Sequence, residues 1–414
     1  MSEIGVTSSS THWQKISLSD VFSVSSGEGL SQTQMRPGNH PVYGGNGITG
    51  FHDTFLFEAS RLIIGRVGEY CGNVYITRQK SWVTDNALIA TFHDEAAYLP
   101  FWFYYLNHLG LNDFAFAAAQ PVITGGIFER ISGCVPPLPQ QRKIARILTT
   151  LDNVITQTEA LIAKYQAIKQ GLMHDLFTRG VDATGKLRPP QSEAPELYKQ
   201  SELGWIPKEW EVHELGAVCT WMSGGTPSKS NPEFWTGEIP WVSPKDMKKF
   251  EIGDSEDHIS DDAARIGTRF VPAGTVLIVI RGMILAHSFP VCLTTRPVTF
   301  NQDIKALVFN GTVEGRFLAY WLVSKASAMI ALATESTHGT KRYDMDDLQS
   351  VPFGIPCEFE QQTIVSRLDS LANCTRNEQE QLKKLQIVKT GLMQDLLTGK
   401  VPVKADEPEE ITPA

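Results

Sequence analysis

The chain has few cysteines and no paired ones. Cys71, Cys134, Cys219, Cys292, Cys357 and Cys374 are scattered over 414 residues, and no two form a Cys-x-x-Cys motif. That spacing argues against a disulfide frame or a zinc site and for reduced thiols in a cytoplasmic chain. No run of about 18 or more apolar residues exists to span a membrane. The segment Met1 to Thr11 is polar and rich in serine, without the apolar core of a secretory signal. A basic excess is missing as well. The net charge is −9, from 37 Lys+Arg against 46 Asp+Glu, which argues mildly against a partner made of phosphates. Part of that acidity sits in Asp406, Glu407, Glu409 and Glu410 near the C-terminus and in a loop from Glu251 to Asp262. Lys245, Lys248 and Lys249 form a local basic cluster, as do Lys341 and Arg342.

Catalytic signatures are also missing. The ten histidines make no HExxH or HxH set, and no glycine-rich strand-to-helix loop suits a dinucleotide. The stretch Gly180 to Leu187 almost spells a phosphate-binding loop. It lacks the Ser or Thr after Lys186, and no strand precedes it. Asp344, Asp346 and Asp347 are expected at a solvated helix start, where acids are favoured, rather than on a metal. No catalytic, cofactor-binding or metal-binding residue is therefore expected.

What the chain does have is a duplication. Gly171-Leu-Met-His-Asp-Leu-Phe-Thr178 returns as Gly391-Leu-Met-Gln-Asp-Leu-Leu-Thr398, and 391 − 171 = 220 residues separate them. Trp13, Leu18, Val21 and Ser26-Gly27 return as Trp210, Leu215, Val218 and Ser223-Gly224, at an offset of 210 − 13 = 197. Each helical pattern opens on a glutamine pair, Gln140-Gln141 and Gln361-Gln362, and the segment Ile131 to Pro139 lines up with Leu348 to Pro356. A period this long means repeated domains, since solenoid repeats run at roughly 20 to 50 residues. The matched ends read as scaffold and the divergent middles as a variable surface.

The expected organisation is domain one at 1–138, a long helix at 139–179, a linker at 180–207, domain two at 208–357, a second long helix at 358–399 and an acidic flexible tail at 400–414. Arg61-Leu-Ile-Ile-Gly-Arg-Val67, Ala87-Leu-Ile-Ala-Thr-Phe92, Thr275-Val-Leu-Ile-Val-Ile280 and Ile304-Lys-Ala-Leu-Val-Phe309 are short, β-branched and bounded by turn formers, so they read as strands. Helices should begin near Pro100 and Phe317. In the first long helix Ile144, Leu151, Tyr165 and Leu172 share one heptad position, and Ile147, Val154, Leu161 and Ile168 the complementary one. In the second, Ile364, Leu371, Leu385 and Leu392 face Leu368, Leu382 and Leu396 in the same way. Two such seams pack most simply on each other as a coiled coil. A helix of about 38 residues spans roughly 57 Å. The fold class is α+β: two similar mixed α/β domains separated by a long antiparallel two-helix coiled coil, pseudo-twofold symmetric.

Gly204-Trp-Ile-Pro-Lys-Glu-Trp-Glu-Val212, Ser223-Gly-Gly-Thr-Pro-Ser228 and Glu238-Ile-Pro-Trp-Val-Ser-Pro-Lys-Asp246 resemble target-recognition domains of type I restriction-modification specificity subunits. The first half resembles them through Pro41-Val-Tyr-Gly-Gly-Asn-Gly47 and its Pro-Leu-Pro-Gln-Gln helix start, so the resemblance covers nearly the whole chain. It implies a DNA-binding subunit in which each domain reads one half of a bipartite double-stranded site and the helices set the gap. It implies two methyltransferase subunits that methylate adenines, and possibly motor-nuclease subunits, with S-adenosylmethionine and ATP only on those partners. The Asp/Asn-Pro-Pro-aromatic signature of such methyltransferases does not occur here.

Base edges are read by exposed donors and acceptors in loops. The candidates in domain one are Tyr43, Asn46, Arg66, Lys80, Gln120 and Thr124. In domain two they are Thr226, Ser228, Lys229 and Asn231, then His338, Thr340, Lys341 and Arg342, with Lys245, Lys248 and Lys249 as phosphate clamps. Gly44, Gly45 and Gly47 are expected to serve a turn, and Trp235 and Trp241 to fill the core. Arg142, Lys143 and Arg146 are candidate methyltransferase contacts. Two other readings fit the residues: a non-catalytic protein–protein adaptor, supported by the acidic charge, and a degenerate DNA-modifying enzyme.

Overall fold

The structure is a computed structural model that describes residues 13–94, 96–115, 121–309, 314–335 and 340–404. The expected acidic tail beyond 404 and the polar start lie outside the described residues. The chain divides into two units, residues 1–160 with 379–414, and residues 161–378. Each unit takes one half of each long helix.

In the first unit the β-branched runs form one antiparallel sheet in the order Phe22–Ser26, Ala87–Phe92, Leu62–Gly65, Val74–Ile76. Leu99–Leu109 packs its aromatic face, Phe101, Trp102 and Tyr105, into the core beside Phe22 and Phe128. A smaller sheet joins Gly47–His52, His40–Gly44 and Trp82–Val83. Gln14–Ser17 pairs with Ser132–Val135 and ties the ends of the domain together. Ile144, Ala145 and Leu148 of the long helix Leu138–Thr178 complete this core with Leu396 and Leu397 of the long helix Glu358–Leu397.

The second unit repeats the plan with other residues. Its main sheet runs Cys219–Ser223, Ile304–Phe309, Val276–Val279, Val291–Thr294, with Glu251–Ile252 added at the edge. Gly315–Ser324 stands where Leu99–Leu109 does, and Glu211–Glu214 pairs with Pro352–Ile355. Its core takes in Met173, Leu176 and Phe177 of the first long helix and Ile364, Val365 and Leu368 of the second. Within each unit the two helix halves run antiparallel.

The same polar latch holds both pairings. The Tyr104 hydroxyl donates to Asp152 at 2.7 Å, and Lys389 pairs with Asp152 at 2.6 Å. In the second unit the Tyr320 hydroxyl donates to Asp369 at 2.7 Å, and the Lys169 ammonium lies 5.4 Å from the Tyr320 ring centre. Lys169 and Lys389 are again 220 residues apart. Burial pushes the Lys169 pKa down, and the nearby Asp369 charge partly offsets this.

Three expectations need correction. First, the duplicate register after residue 120 is 220 throughout. Leu18 N–H donates to Ile131 O and Leu215 N–H to Val351 O, so Ile131 matches Val351 and not Leu348. Gln141 and Gln361, each donating from Nε2 to a proline carbonyl (Pro136, Pro356) at 2.9 Å, are the equivalent glutamines. Sequence pairing slipped because Pro and Gln recur at neighbouring positions. Second, the heptad seam is uneven. Ile144, Leu368 and Leu396 are buried, while Val154 and Ile168 are exposed and Thr158, expected as the polar exception, is buried with its hydroxyl on Val154 O.

Third, the segment read as a linker is folded. Tyr198–Ser201 and Gly204–Pro207 form a hairpin, and Val181 bridges Leu187. Polar bonds, invisible to apolar periodicity, create this order. The buried Arg188 guanidinium donates to the buried Glu360 carboxylate at 2.6 and 3.1 Å and to Glu209 at 2.7 Å. Glu360 also accepts the Val181 N–H at 2.7 Å and the Trp210 indole N–H at 3.1 Å. A Cβ at Gly180, whose φ is +62°, would sit 2.0 Å from Glu360 Oε1, so glycine is needed there. The near-miss phosphate loop is a turn in which Asp182 accepts the N–H groups of Thr184 and Lys186.

Candidate nucleic-acid interface

Both domains build the same backbone clasp at one edge of the main sheet. In the first, strand Leu62–Gly65 continues into Arg66-Val67-Gly68. Ile123 N–H donates to Arg66 O at 2.9 Å, Gly68 N–H donates to Pro121 O at 3.1 Å, and Val67 bridges Val122. In the second, Tyr343 N–H donates to Ile280 O at 3.1 Å, Gly282 N–H donates to Lys341 O at 3.0 Å, and Arg281 bridges Arg342. The Ser-Gly pair bends beside each clasp. A Cβ on Gly27 would lie 2.3 Å from Val83 O, and one on Gly224 2.1 Å from Phe300 O. Glycine is therefore the residue that lets two stretches of backbone meet, in both halves.

Side chains around this frame differ between the domains. In the first, Tyr43 is buried among Ile63, Val83 and Ile89, and its hydroxyl accepts the Arg78 N–H at 3.0 Å. It supports the surface from beneath and is not a solvent-facing reader. Asn46 is exposed and accepts from the Tyr75 hydroxyl at 3.1 Å. Arg66 donates to Ser26 Oγ at 3.1 Å and to Asp85 O at 3.4 Å. Lys80 is exposed, adopts φ +51° and places its ammonium 5.9 Å from the Phe55 ring centre. Thr124 is exposed ahead of the turn Gly125–Ile127. Gln120 lies outside the described residues. Asn46 shares a groove of about 340 Å³ with Gly44, Gly45, Tyr70, Thr84 and Asn86. Thr84 is buried, and its hydroxyl has no hydrogen-bond partner among the described residues.

In the second domain Thr226 donates to Gln302, Ser228 shares a hydrogen bond with Ser230 at 2.7 Å, and Lys229 is exposed. Asn231 caps Pro232–Trp235 by accepting the Glu233 N–H at 3.2 Å. Trp241 is buried and meets the half-buried Trp235 edge-on at 5.0 Å, as core residues do. Lys245 is ion-paired with Asp257 at 2.9 Å and Glu256 at 3.1 Å, and hydrogen bonds to the two carboxylates, Asp257 first, raise its pKa. Lys248 and Lys249 line an adjacent groove of about 420 Å³ with Glu251, Asp254 and Glu256, so this cluster is largely neutralised by its own acids. Thr340 is half-buried, Lys341 pairs with Glu335 at 3.2 Å, and Arg342 is exposed on the clasp. His338 lies outside the described residues. Arg142 stacks 6.0 Å from the Tyr98 ring.

Sequence reasoning missed Thr84, Asn86, Arg281 and Lys305. Lys305 donates to Ser223 Oγ as Arg66 donates to Ser26 Oγ, so each matched serine holds a cation. The repeated Ser-Gly pair was a usable signal for that. Asp344 caps the helix Met345–Gln349 by accepting the Asp346 N–H at 2.9 Å, and no group of three or more His, Cys, Asp or Glu among the described residues could hold a metal. The six cysteines are free, and no described helix is long and apolar enough to cross a membrane.

One strand order used twice, with a donor-rich edge on each copy and both domain cores completed by long helices, defines a duplicated two-domain protein with paired helices. Residues 11–170 and 207–386 match the type I restriction modification DNA specificity domain, and the chain belongs to that family. It is 34% identical over 189 residues to the type I restriction enzyme EcoR124I/EcoR124II specificity subunit of Escherichia coli, covering 45% of this chain and 47% of that protein. It is 27% identical over 216 residues to the MjaIX specificity subunit of Methanocaldococcus jannaschii, covering 51% and 49%. The matches thus span about half the length of these relatives. The fold is similar to that of a type I restriction-modification S subunit from M. genitalium, with TM-score 0.63 and 15% identity over 95% of this chain and 98% of that one. A chain from a structural study of assembly and conformational transition of the type I restriction-modification system gives TM-score 0.55 at 17% identity, covering 95% and 99%.

Proposed function

We propose that the chain is the DNA-reading subunit of a type I restriction-modification complex and has no catalysis of its own. Each domain reads one half of a bipartite duplex site, and the paired long helices set the gap. The observation that carries this reading is the clasp: the same hydrogen bonds in both domains, surrounded by different exposed side chains. A constant frame with variable donors is what reading two unlike half-sites requires. The family membership supports it. Two methyltransferase subunits would bring S-adenosylmethionine and methylate an adenine in each half. Motor-nuclease subunits with ATP would complete a restriction complex. Such a chain works in the cytoplasm, where the chromosome of a bacterial or archaeal cell lies.

The test is methylome sequencing of a host expressing this chain with its methyltransferase subunits. A two-part adenine-methylated motif is expected. Replacing residues 13–138 with the corresponding segment of a relative should change one half of that motif and leave the other intact. A single uninterrupted motif, or a change in both halves, would sink the reading.

A further inference from the structure

The turn that follows each clasp presents a large apolar side chain to solvent. In the first domain Cys71 N–H donates back to Gly68 O at 3.0 Å. In the second, Leu285 N–H donates back to Gly282 O at 3.3 Å. Cys71 and Leu285 are buried and anchor the turn. The residue before each anchor points outward: Tyr70 is 42% exposed and Ile284 39%, with Met283 beside it at 66%. The positions correspond, since 284 − 70 = 214 and 280 − 66 = 214, the offset fixed by the clasp bonds. A single exposed apolar residue is ordinary on a protein surface. Here the loops share little sequence beyond the glycine, yet the same position keeps a large apolar side chain outward on a backbone gripped from both sides. The surroundings fit bases. Tyr70 walls the groove that holds Asn46, Asn86 and the Thr84 hydroxyl, which has no partner among the described residues. Asparagine amides suit adenine edges, and apolar groups suit thymine methyls and base faces. Cations stand one step away, Arg66 in one clasp and Arg281 with Arg342 in the other.

We propose that Tyr70 and Ile284 are equivalent specificity-determining residues, each making apolar contact with bases of the half-site read by its own domain. This rests on the two-part reading above, and the experiment separates the two. In the full complex with its methyltransferase subunits, a wild-type chain that yields no two-part motif defeats that reading, whatever the variants do. Given a two-part motif, Tyr70→Ala should cut discrimination against single-base changes about tenfold in the half assigned to the first domain, with the other half unchanged. Ile284→Ala should do the reverse. Tyr70→Phe should behave as wild type. The slope of affinity against salt should not move in any variant, because no phosphate contact is lost. Unchanged discrimination in both halves overturns the proposal. So does an even loss at every base pair with a flatter salt slope, which marks a phosphate contact. Loss of both halves with a lowered melting temperature overturns it too, since the tip would then serve the fold.

Discussion

Arg342 and Lys245 carry the same charge but sit in opposite electrostatic settings. Lys245 already touches two carboxylates, so approaching a phosphate means giving up both pairs. Arg342 is exposed beside Arg281 on the clasp. Arg342→Ala should therefore weaken binding to the second half-site for all sequences and lower the salt slope by about one unit. Lys245→Ala should leave the slope nearly unchanged. Titrations of the assembled complex across salt concentrations check this, and equal slope changes for the two variants would remove Arg342 from its assigned place. At this scale the sequence was a partial guide. Residue type marked Asn46, Arg66 and Arg342 as candidates. It gave no sign that Tyr43 is enclosed by Ile63 and Val83, or that Lys245 faces Asp257 from twelve residues away. Exposure and partners come from tertiary pairing, which composition does not encode.

Among the elements, short β-branched runs declared themselves: Ala87–Phe92 and Ile304–Phe309 are strands as the spacing predicts. The long helices were equally legible, because an apolar repeat sustained over many turns fits a helix and little else. The hairpin Tyr198–Ser201 with Gly204–Pro207 was not, since its order depends on Arg188 and Glu360 meeting across 360 − 188 = 172 residues. The helices invite a direct test. Inserting four residues into each, at matched mid-helix positions, adds about 6 Å and a little over one turn, so the apolar seam nearly keeps its face. The unmethylated gap of the motif should then grow by nearly two base pairs at about 3.4 Å each. Methylome mapping reads this directly, and an unaltered gap would refute the spacer role.

For the molecule as a whole, the duplication is uneven. The offset between copies is 197 at the Ser-Gly bend, 214 at the clasp turn and 220 after it. The second copy therefore gains 214 − 197 = 17 residues between its first strand and its clasp. That inserted stretch includes the capped turn Pro232–Trp235 and the helix Asp261–Gly267, giving the second domain a larger variable surface on the same frame. The cores also interlock with the chain ends. Removing residues 379–414 takes Leu396 and Leu397 from the first core and the Lys389 pair from Asp152, but leaves every residue of the second core in place. Hydrogen exchange of the truncated chain should show the strands around Leu62 and Ala87 losing protection while those around Val276 and Ile304 keep it. Equal loss in both would show that the units do not fold separately.

That asymmetry has a consequence for biosynthesis. The domain made first by the ribosome cannot close until Leu396 and Leu397 emerge, whereas the domain made second has all its core side chains once Leu368 is out. The order of completion is therefore the reverse of the order of synthesis. For most of translation the nascent chain carries an unfinished N-terminal half with bare leucine-binding surface, which is where a chaperone would be needed.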